Sequence, residues 1–251
     1  MSFWRRTNYR GRLVDLRGGT YLAAWLVAAA ALGAQGGKRR AAGALAVGLA
    51  GLAGFVDDHF GQSHVKGLKG HLLALRHGQI TTGVIKLVAL PVAGLMAALA
   101  ESGNPRGSSS AGKTVTALVI DSALVAGWAN LINLLDVRPG RALKAAALGA
   151  VAAWPGQGGP LAEATLTGIV LEIPAEVTET TMLGDCGAAA LGTAVGVAGL
   201  RSWPLPVRTA VAALLAFLTL ASEKVSFSDV IDQNGPLRRL DQLMVNHARP
   251  A

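Results

Sequence analysis

Eight apolar runs divide the chain, at about residues 20–35, 41–56, 79–99, 114–131, 142–154, 161–175, 187–200 and 205–221, and most charged residues lie between them. Apolar runs of this length either cross a bilayer or fill the centre of a bundle, because only a helix satisfies its own backbone away from water. Several fall short of the roughly 20 residues of a full span, so their flanks must contribute or the helices are buried by their neighbours. Only 15% of the 251 residues are charged and 51% are hydrophobic, where a soluble domain carries roughly 25% charged residues. Glycine and alanine are abundant, which suits closely packed membrane helices. The expected fold is therefore all-α: a polytopic integral membrane helical bundle of about eight transmembrane helices. One membrane-embedded domain would cover residues 1–221. A polar C-terminal tail would cover 222–251, either forming an amphipathic surface helix around Pro236–Val245 or staying loose.

The formal net charge of +8 would suggest nucleic acid in a soluble chain. Here the basic residues cluster between apolar runs, which points to anionic lipid headgroups or phosphorylated substrates. No zinc-finger spacing and no basic stripe with interleaved aromatics occurs, so no nucleic-acid partner is expected. Cys186 is the single cysteine, which excludes an intramolecular disulfide and a cysteine-based metal cluster. The opening residues MSFWRRTNYRGR run straight into polar sequence and do not read as a secretory signal.

Eight spans with a cytoplasmic N-terminus return the C-terminus to the cytoplasm. The loops 1–18, 57–78, 132–141, 176–186 and 222–251 then share the inner face and hold most of the Lys and Arg, as positive-inside bias demands. Lys38, Arg39 and Arg40 are the exception. The distinctive polar residues gather on that same face. Asp57 and Asp58 end the second apolar run, where a carboxylate near hydrocarbon is costly without work to do. Asn130, Asn133 and Asp136 follow at three-residue spacing, which reads as one helix face. Gly184–Asp185 opens the seventh run. Lys86 lies about two turns into the third run, where it either snorkels to the interface or faces a polar cavity. His59, His64, His71 and His77 lack a compact zinc spacing. Gly48, Gly51 and Gly54 suit helix packing rather than a phosphate loop, since no GKS/T follows. The segment 57–78, with Leu68, Leu72, Leu73 and Leu75, is expected to fold against the membrane surface.

These motifs carry a resemblance. Gly54–Phe55–Val56–Asp57–Asp58 resembles the GFxDD element of the polyprenyl-phosphate N-acetylhexosamine-1-phosphate transferases, the membrane superfamily that contains the phospho-MurNAc-pentapeptide translocase. Asn130, Asn133 and Asp136 match its NxxNxxDG element up to the aspartate. Met182–Leu183–Gly184–Asp185–Cys186–Gly187 is similar to its MGDxGS element, and Asn8–Tyr9–Arg10–Gly11–Arg12 with Gly18–Gly19 resembles the loop entering its second helix. The chain departs from the pattern at Val137 and Ala188. It also lacks the histidine-rich motif of the translocase, which implies a simpler UDP-N-acetylhexosamine rather than a peptide-bearing substrate.

The resemblance implies transfer of a sugar-1-phosphate from a UDP-sugar to polyprenyl phosphate, with release of UMP, for cell-envelope glycopolymer synthesis. It implies Mg²⁺ on Asp185, and catalytic roles for Asp57, Asp58 and Asp136. Asn133, Lys66, Lys69, His71, Arg138 and Arg141 are the implied substrate contacts, while Asn130 either joins them or packs between helices. The location implied is a bacterial cytoplasmic (inner) membrane, multi-pass, with both termini cytoplasmic, and a homodimer is left open. Two other classes fit less of the pattern. A non-catalytic prenyl-phosphate-binding or regulatory protein would share the motifs but release no UMP. A transporter would show repeats and midplane polar groups, which the sequence does not.

Overall fold

A computed structural model describes residues 3–33, 36–61, 67–101 and 111–243. Among them the fold is helical apart from one small hairpin, β1 (Arg5–Thr7) and β2 (Leu13–Asp15). The helices are α1 (Arg17–Leu32), α2 (Gly37–Phe60), α3 (Gly67–Arg76), α4 (Thr82–Glu101), α5 (Ala111–Leu135), α6 (Arg141–Ala153), α7 (Gly159–Val177), α8 (Gly184–Ser202), α9 (Leu205–Ser222), α10 (Phe227–Gln233) and α11 (Gly235–Gln242). Each of the eight apolar runs falls on one long helix, with ends that differ by a few residues. Four of these helices, α2, α4, α5 and α9, are long and apolar enough to cross a membrane.

Helix α8 is the axis of the bundle. It packs against α1, α2, α4, α5, α6 and α7, and it is buried from Cys186 to Arg201. The inside is rich in small residues, with Ala188, Ala189, Ala190, Ala194 and Ala198 of α8 buried alongside Ala46, Ala50, Ala53, Ala142, Ala146 and Ala150, and Leu26, Leu124, Ile132, Leu143 and Leu191 filling the space between them. The outside carries the large ones, among them Leu45, Leu52, Val119, Leu148, Leu171, Phe217 and Leu220. A water-soluble bundle turns most of its large apolar side chains inward to gain hydrophobic free energy, whereas here many face outward. Small residues inside and large apolar ones outside suit a lipid surround, where close backbone packing drives association. At Gly54 the approach is so close that a β-carbon would strike the Asp185 carbonyl.

The N-terminal hairpin is an element the sequence reading lacked. Its strands pair Arg5 with Asp15, Arg6 with Val14 and Thr7 with Leu13. Asn8 Oδ1 closes the turn by accepting the Arg10 and Arg12 N–H groups at 2.9 and 3.0 Å. Asp15 then exchanges backbone bonds with the loop after α7, its N–H donating to Thr180 O and its carbonyl accepting from Met182. Asn8 and Arg10 bind Glu179 at 2.8 and 2.7 Å. This fixes the Asn8–Arg12 motif against the loop that leads into the Met182–Gly187 motif, at the end of the bundle where α2 stops and α8 starts.

At the opposite end, Glu101 pairs with both Arg39 and Arg201 at 3.2 and 3.1 Å. Helix α3 is amphipathic as expected for the 57–78 segment, with Leu72, Leu73 and Leu75 exposed. Residues 62–66 of that segment, with His64, lie outside the described residues. The tail holds two helices: α10 docks on Arg138 of the turn before α6, and α11 docks on Arg141 and Lys144 of α6.

Candidate functional site

Helix α8 begins without a side-chain cap of its own, at Leu183. Asp58 supplies one from α2: its Oδ1 accepts the Asp185 N–H at 3.0 Å and its Oδ2 accepts the Cys186 N–H at 2.9 Å. Helix N-termini present unpaired N–H groups and partial positive charge, so a carboxylate is stabilised there. Arg6 of β1 adds a hydrogen bond to Asp58 Oδ1 at 2.9 Å. The Asp58 side chain is only 1% exposed. Both of its oxygens accept hydrogen bonds from the protein, and the carboxylate ties the end of α2 to the start of α8.

Asp57 and Asp185 meet through Lys86. The Lys86 ammonium contacts Asp57 Oδ2 at 3.1 Å and Asp185 Oδ1 at 2.8 Å. Of the two roles open to Lys86 from sequence, it takes the polar cavity rather than the interface. The other oxygen of Asp185 lies 3.7 Å from Arg6. A continuous charged chain therefore runs Arg6–Asp185–Lys86–Asp57.

A cavity opens on each side of that chain. The first, of about 250 Å³, is lined by Arg6, Asn8, Tyr9, Asp136, Arg138 and Glu176 among others, and is bounded by the hairpin, the turn after α5 and the loop after α7. The second, of about 370 Å³, is lined by Asp57, His71, Lys86, Asn130, Asn133 and Thr219, together with Leu87, Leu90, Leu134 and Pro91. Both linings mix polar and apolar groups: Val14, Val137, Pro139 and Met182 share the first with its charged side chains, and the second combines a polar end with an aliphatic wall.

The Asn130–Asn133–Asp136 triplet is split between them. Asn130 and Asn133 line the second cavity and Asp136 the first. Each residue advances about 100° around a helix, so six residues leave the first and last members about 120° apart. The single-face expectation therefore holds for neighbours in the triplet but not for its ends. Asn130 also bonds Thr219 of α9 at 3.0 Å, so it both packs and lines. Asp136 accepts the Gly184 N–H, and burial, with the Glu176, Asp185 and Asp58 carboxyls nearby, pushes its pKa well above the usual carboxylate range.

His71 reaches the second cavity, its Nδ1 2.8 Å from Thr81 Oγ1. Its ring fits because residue 83 is glycine, where a β-carbon would overlap the imidazole. Lys69 is exposed on α3 and lines neither cavity. Lys66 lies outside the described residues. Arg138 lines the first cavity, but its guanidinium already holds Asp232. Arg141 is buried and bound to Asp241, away from both cavities.

Three residues of this site are left unmarked or undecided by the sequence. Arg6 reads there as one of several basic anchors. Lys86 reads as ambiguous. Glu176 reads as part of an acidic segment, yet it is buried, its Oε1 accepts the Gly140 N–H at 2.8 Å, and its Oε2 has no partner among the described residues.

The fit of a divalent cation can be tested on the donors. Among the described residues no group of three His, Cys, Asp or Glu side chains is arranged to hold a metal. Mg²⁺ needs less: one or two carboxylates, with waters and substrate phosphates completing its shell. Asp57 and Asp185 are hard oxygen donors of the right kind, but the Lys86 ammonium stands between them, so a cation held by both would displace it. No protein-family model, curated protein or solved structure matches this chain.

Proposed function

We propose that the chain is a phosphoglycosyltransferase. It moves a sugar-1-phosphate, N-acetylhexosamine-1-phosphate by its motifs, from a UDP-sugar to polyprenyl phosphate and releases UMP. The observation that carries this reading is the pair of cavities meeting at the Arg6–Asp185–Lys86–Asp57 chain. A transferase of this class must bring two anionic substrates together, one polar and one with a lipid tail. A cavity rich in charged side chains beside one with an aliphatic wall, with cations at their junction, answers both demands.

In the reaction an oxygen of the prenyl phosphate forms a new P–O bond to the β-phosphorus of the UDP-sugar. The bond from that phosphorus to the bridging oxygen breaks, and the electron pair leaves with UMP. The second pKa of a phosphate monoester is near 6, so the attacking oxygen is already largely ionised at neutral pH. The chief demand is charge stabilisation, which preorganised cations supply. Lys86 faces the second cavity, where it would meet the lipid phosphate. Arg6 faces the first, where it would meet the diphosphate. Asp58 orients Asp185 through the start of α8. Asp185 and Asp57 would hold Mg²⁺, which neutralises phosphate charge when bound. Asn133 and His71 would orient the phosphate end of the lipid.

In this reading all eight long helices are embedded in a bacterial inner membrane, with the site and both termini at the cytoplasmic face. The four less apolar helices gain shelter from their neighbours. The test uses purified protein in nanodiscs with undecaprenyl phosphate, Mg²⁺ and a panel of UDP-sugars. UMP release together with a sugar-phosphate-lipid mass is the expected result. Absence of product from every UDP-sugar with folded protein removes the transferase and leaves a prenyl-phosphate-binding protein.

A further inference from the structure

The polar tail ends in two docked helices whose acids occupy the basic turn beside the first cavity. Asp232 of α10 takes both terminal nitrogens of Arg138, at 2.7 and 2.6 Å. Asp241 of α11 takes Nε and one terminal nitrogen of Arg141, both at 2.8 Å. The two pairs differ in their surroundings. Asp232 is 42% exposed, whereas Arg141 and Asp241 are 5% and 10% exposed. Arg141 also donates to Ser228 at 3.0 Å. Lys144 donates to the carbonyls of Leu240, Asp241 and Leu243, satisfying the groups that end α11. Thus α11 is anchored at several points, one of them covered, while α10 is held by the solvent-facing Asp232–Arg138 pair and by Ser228, which accepts from Arg141.

Arg138 is also part of the wall of the first cavity, with its guanidinium carbon 5.8 Å from the centre of the Tyr9 ring, another wall residue. A planar guanidinium binds carboxylate and phosphate in the same forked manner. The carboxylate of Asp232 therefore stands where a phosphate oxygen pair would stand.

We propose that residues 227–243 form an autoinhibitory strap. Asp232 masks Arg138 as an internal substitute for phosphate, and an anionic ligand of the first cavity displaces it. Asp241, Arg141 and Lys144 keep α11 in place, so the strap opens at α10 and closes again without leaving the bundle. The inference rests on reading the first cavity as the seat of the nucleotide diphosphate, but not on any chemistry done there. Exposed ion pairs are weak, so millimolar-range competition by a ligand is enough to open one.

The experiment uses the full chain in nanodiscs with UDP as the probe. Asp232→Asn removes the closer of the two charges that compete for Arg138, Asp241 lying 3.8 Å away, and is expected to tighten UDP binding by roughly three- to tenfold. In the wild type, UDP should speed amide exchange across α10 and leave α11 protected. Equal or weaker UDP binding by folded Asp232→Asn overturns the strap, as does UDP that slows exchange in α10, and so does a failure of UDP to bind either protein. The two readings fail separately. Tighter UDP binding by the variant without sugar-phosphate transfer keeps the strap and removes the transferase. Transfer by the wild type with UDP affinity untouched by Asp232→Asn keeps the transferase and removes the strap.

Discussion

Asp58 and Asp185 stand 127 residues apart, yet the carboxylate of the first receives the backbone N–H of the second at 3.0 Å. The bond joins the last turn of α2 to the first turn of α8. The acid that ends one helix thereby sets the direction of the acid that opens another.

Asp58→Ala should therefore act through structure as well as activity. It leaves the Asp185 and Cys186 N–H groups and the Arg6 guanidinium without their shared partner. Loss of a helix cap costs about 0.5–2 kcal/mol, and a buried donor left unpaired costs about 1–3 kcal/mol. A lower melting temperature in detergent is expected, with Asp58→Asn falling between the variant and the wild type because one amide oxygen can replace part of the cap. Unchanged melting of Asp58→Ala would refute the capping role.

Lys86 and Asp185 separate charge from shape in the other half of the site. Lys86→Met keeps much of the length but removes the cation shared by Asp57 and Asp185. If the ammonium stabilises transferring phosphate, turnover should fall by about 10²-fold or more. Asp185→Asn should also lower turnover by orders of magnitude and, in addition, flatten the dependence on Mg²⁺ concentration. Glu163→Gln, on an exposed position of α7, should do neither. The readout is UMP release against Mg²⁺, with folding checked by size-exclusion behaviour. Near-normal turnover in folded Asp185→Asn would end the metal-ligand assignment.

How far the sequence foretold this arrangement depends on the range of the interaction. Apolar runs mark helices because they report a local property, and the long helices lie where the runs do. Asp57, Asp58 and Asp185 stand out because acids beside long apolar stretches are conspicuous by composition. Arg6 does not, since nothing local separates it from Arg5 or Arg10. Its role comes from strand pairing of three residues each side, too short for alternation to register. The same holds for Arg138 and Arg141. They read as substrate cations, and their partners Asp232 and Asp241 lie roughly a hundred residues away in a tail with no strong periodicity. Lys86 was ambiguous because rotation about a helix decides between lipid and cavity, and the sequence alone does not set that rotation.

The docked tail should respond to pH with a definite sign. Hydrogen bonds from Arg138 hold Asp232 below the usual carboxylate range, and those from Arg141 do the same for Asp241. A carboxyl whose folded pKa is depressed contributes stability that is present above its unfolded value, near 4, and is lost as pH falls through the folded value. Asp136 is raised, so its protonation in acid relieves crowding among carboxyls rather than breaking a pair. Acidification below about pH 4 should thus speed proteolysis within 227–243 before the bundle itself opens. Tail cleavage that stays flat from pH 7 to pH 3 would show that these ion pairs do not hold it.

The final prediction concerns the contact that makes the site possible. Asp58 reaches the start of α8 only because α2 and α8 touch backbone to backbone, and Gly54, one turn before Asp58, is the point of contact. A β-carbon there would meet the Asp185 carbonyl and the Cys186 nitrogen, and neither is the movable end of a side chain. Gly54→Ala must push the helices apart, at a cost of about 1–3 kcal/mol, and must stretch both Asp58 bonds at once. Gly48, on the same helix, has only Val27 at an ordinary 3.7 Å from a β-carbon. Gly48→Ala should then be neutral or stabilise by up to about 1 kcal/mol, since alanine is the better helix former. Melting in detergent compares the two directly. If the close approach orders the site, Gly54→Ala melts lower and loses UMP release while Gly48→Ala keeps both. Equal melting of the two variants would mean that α2 and α8 can separate without penalty, and that their contact does not position Asp185.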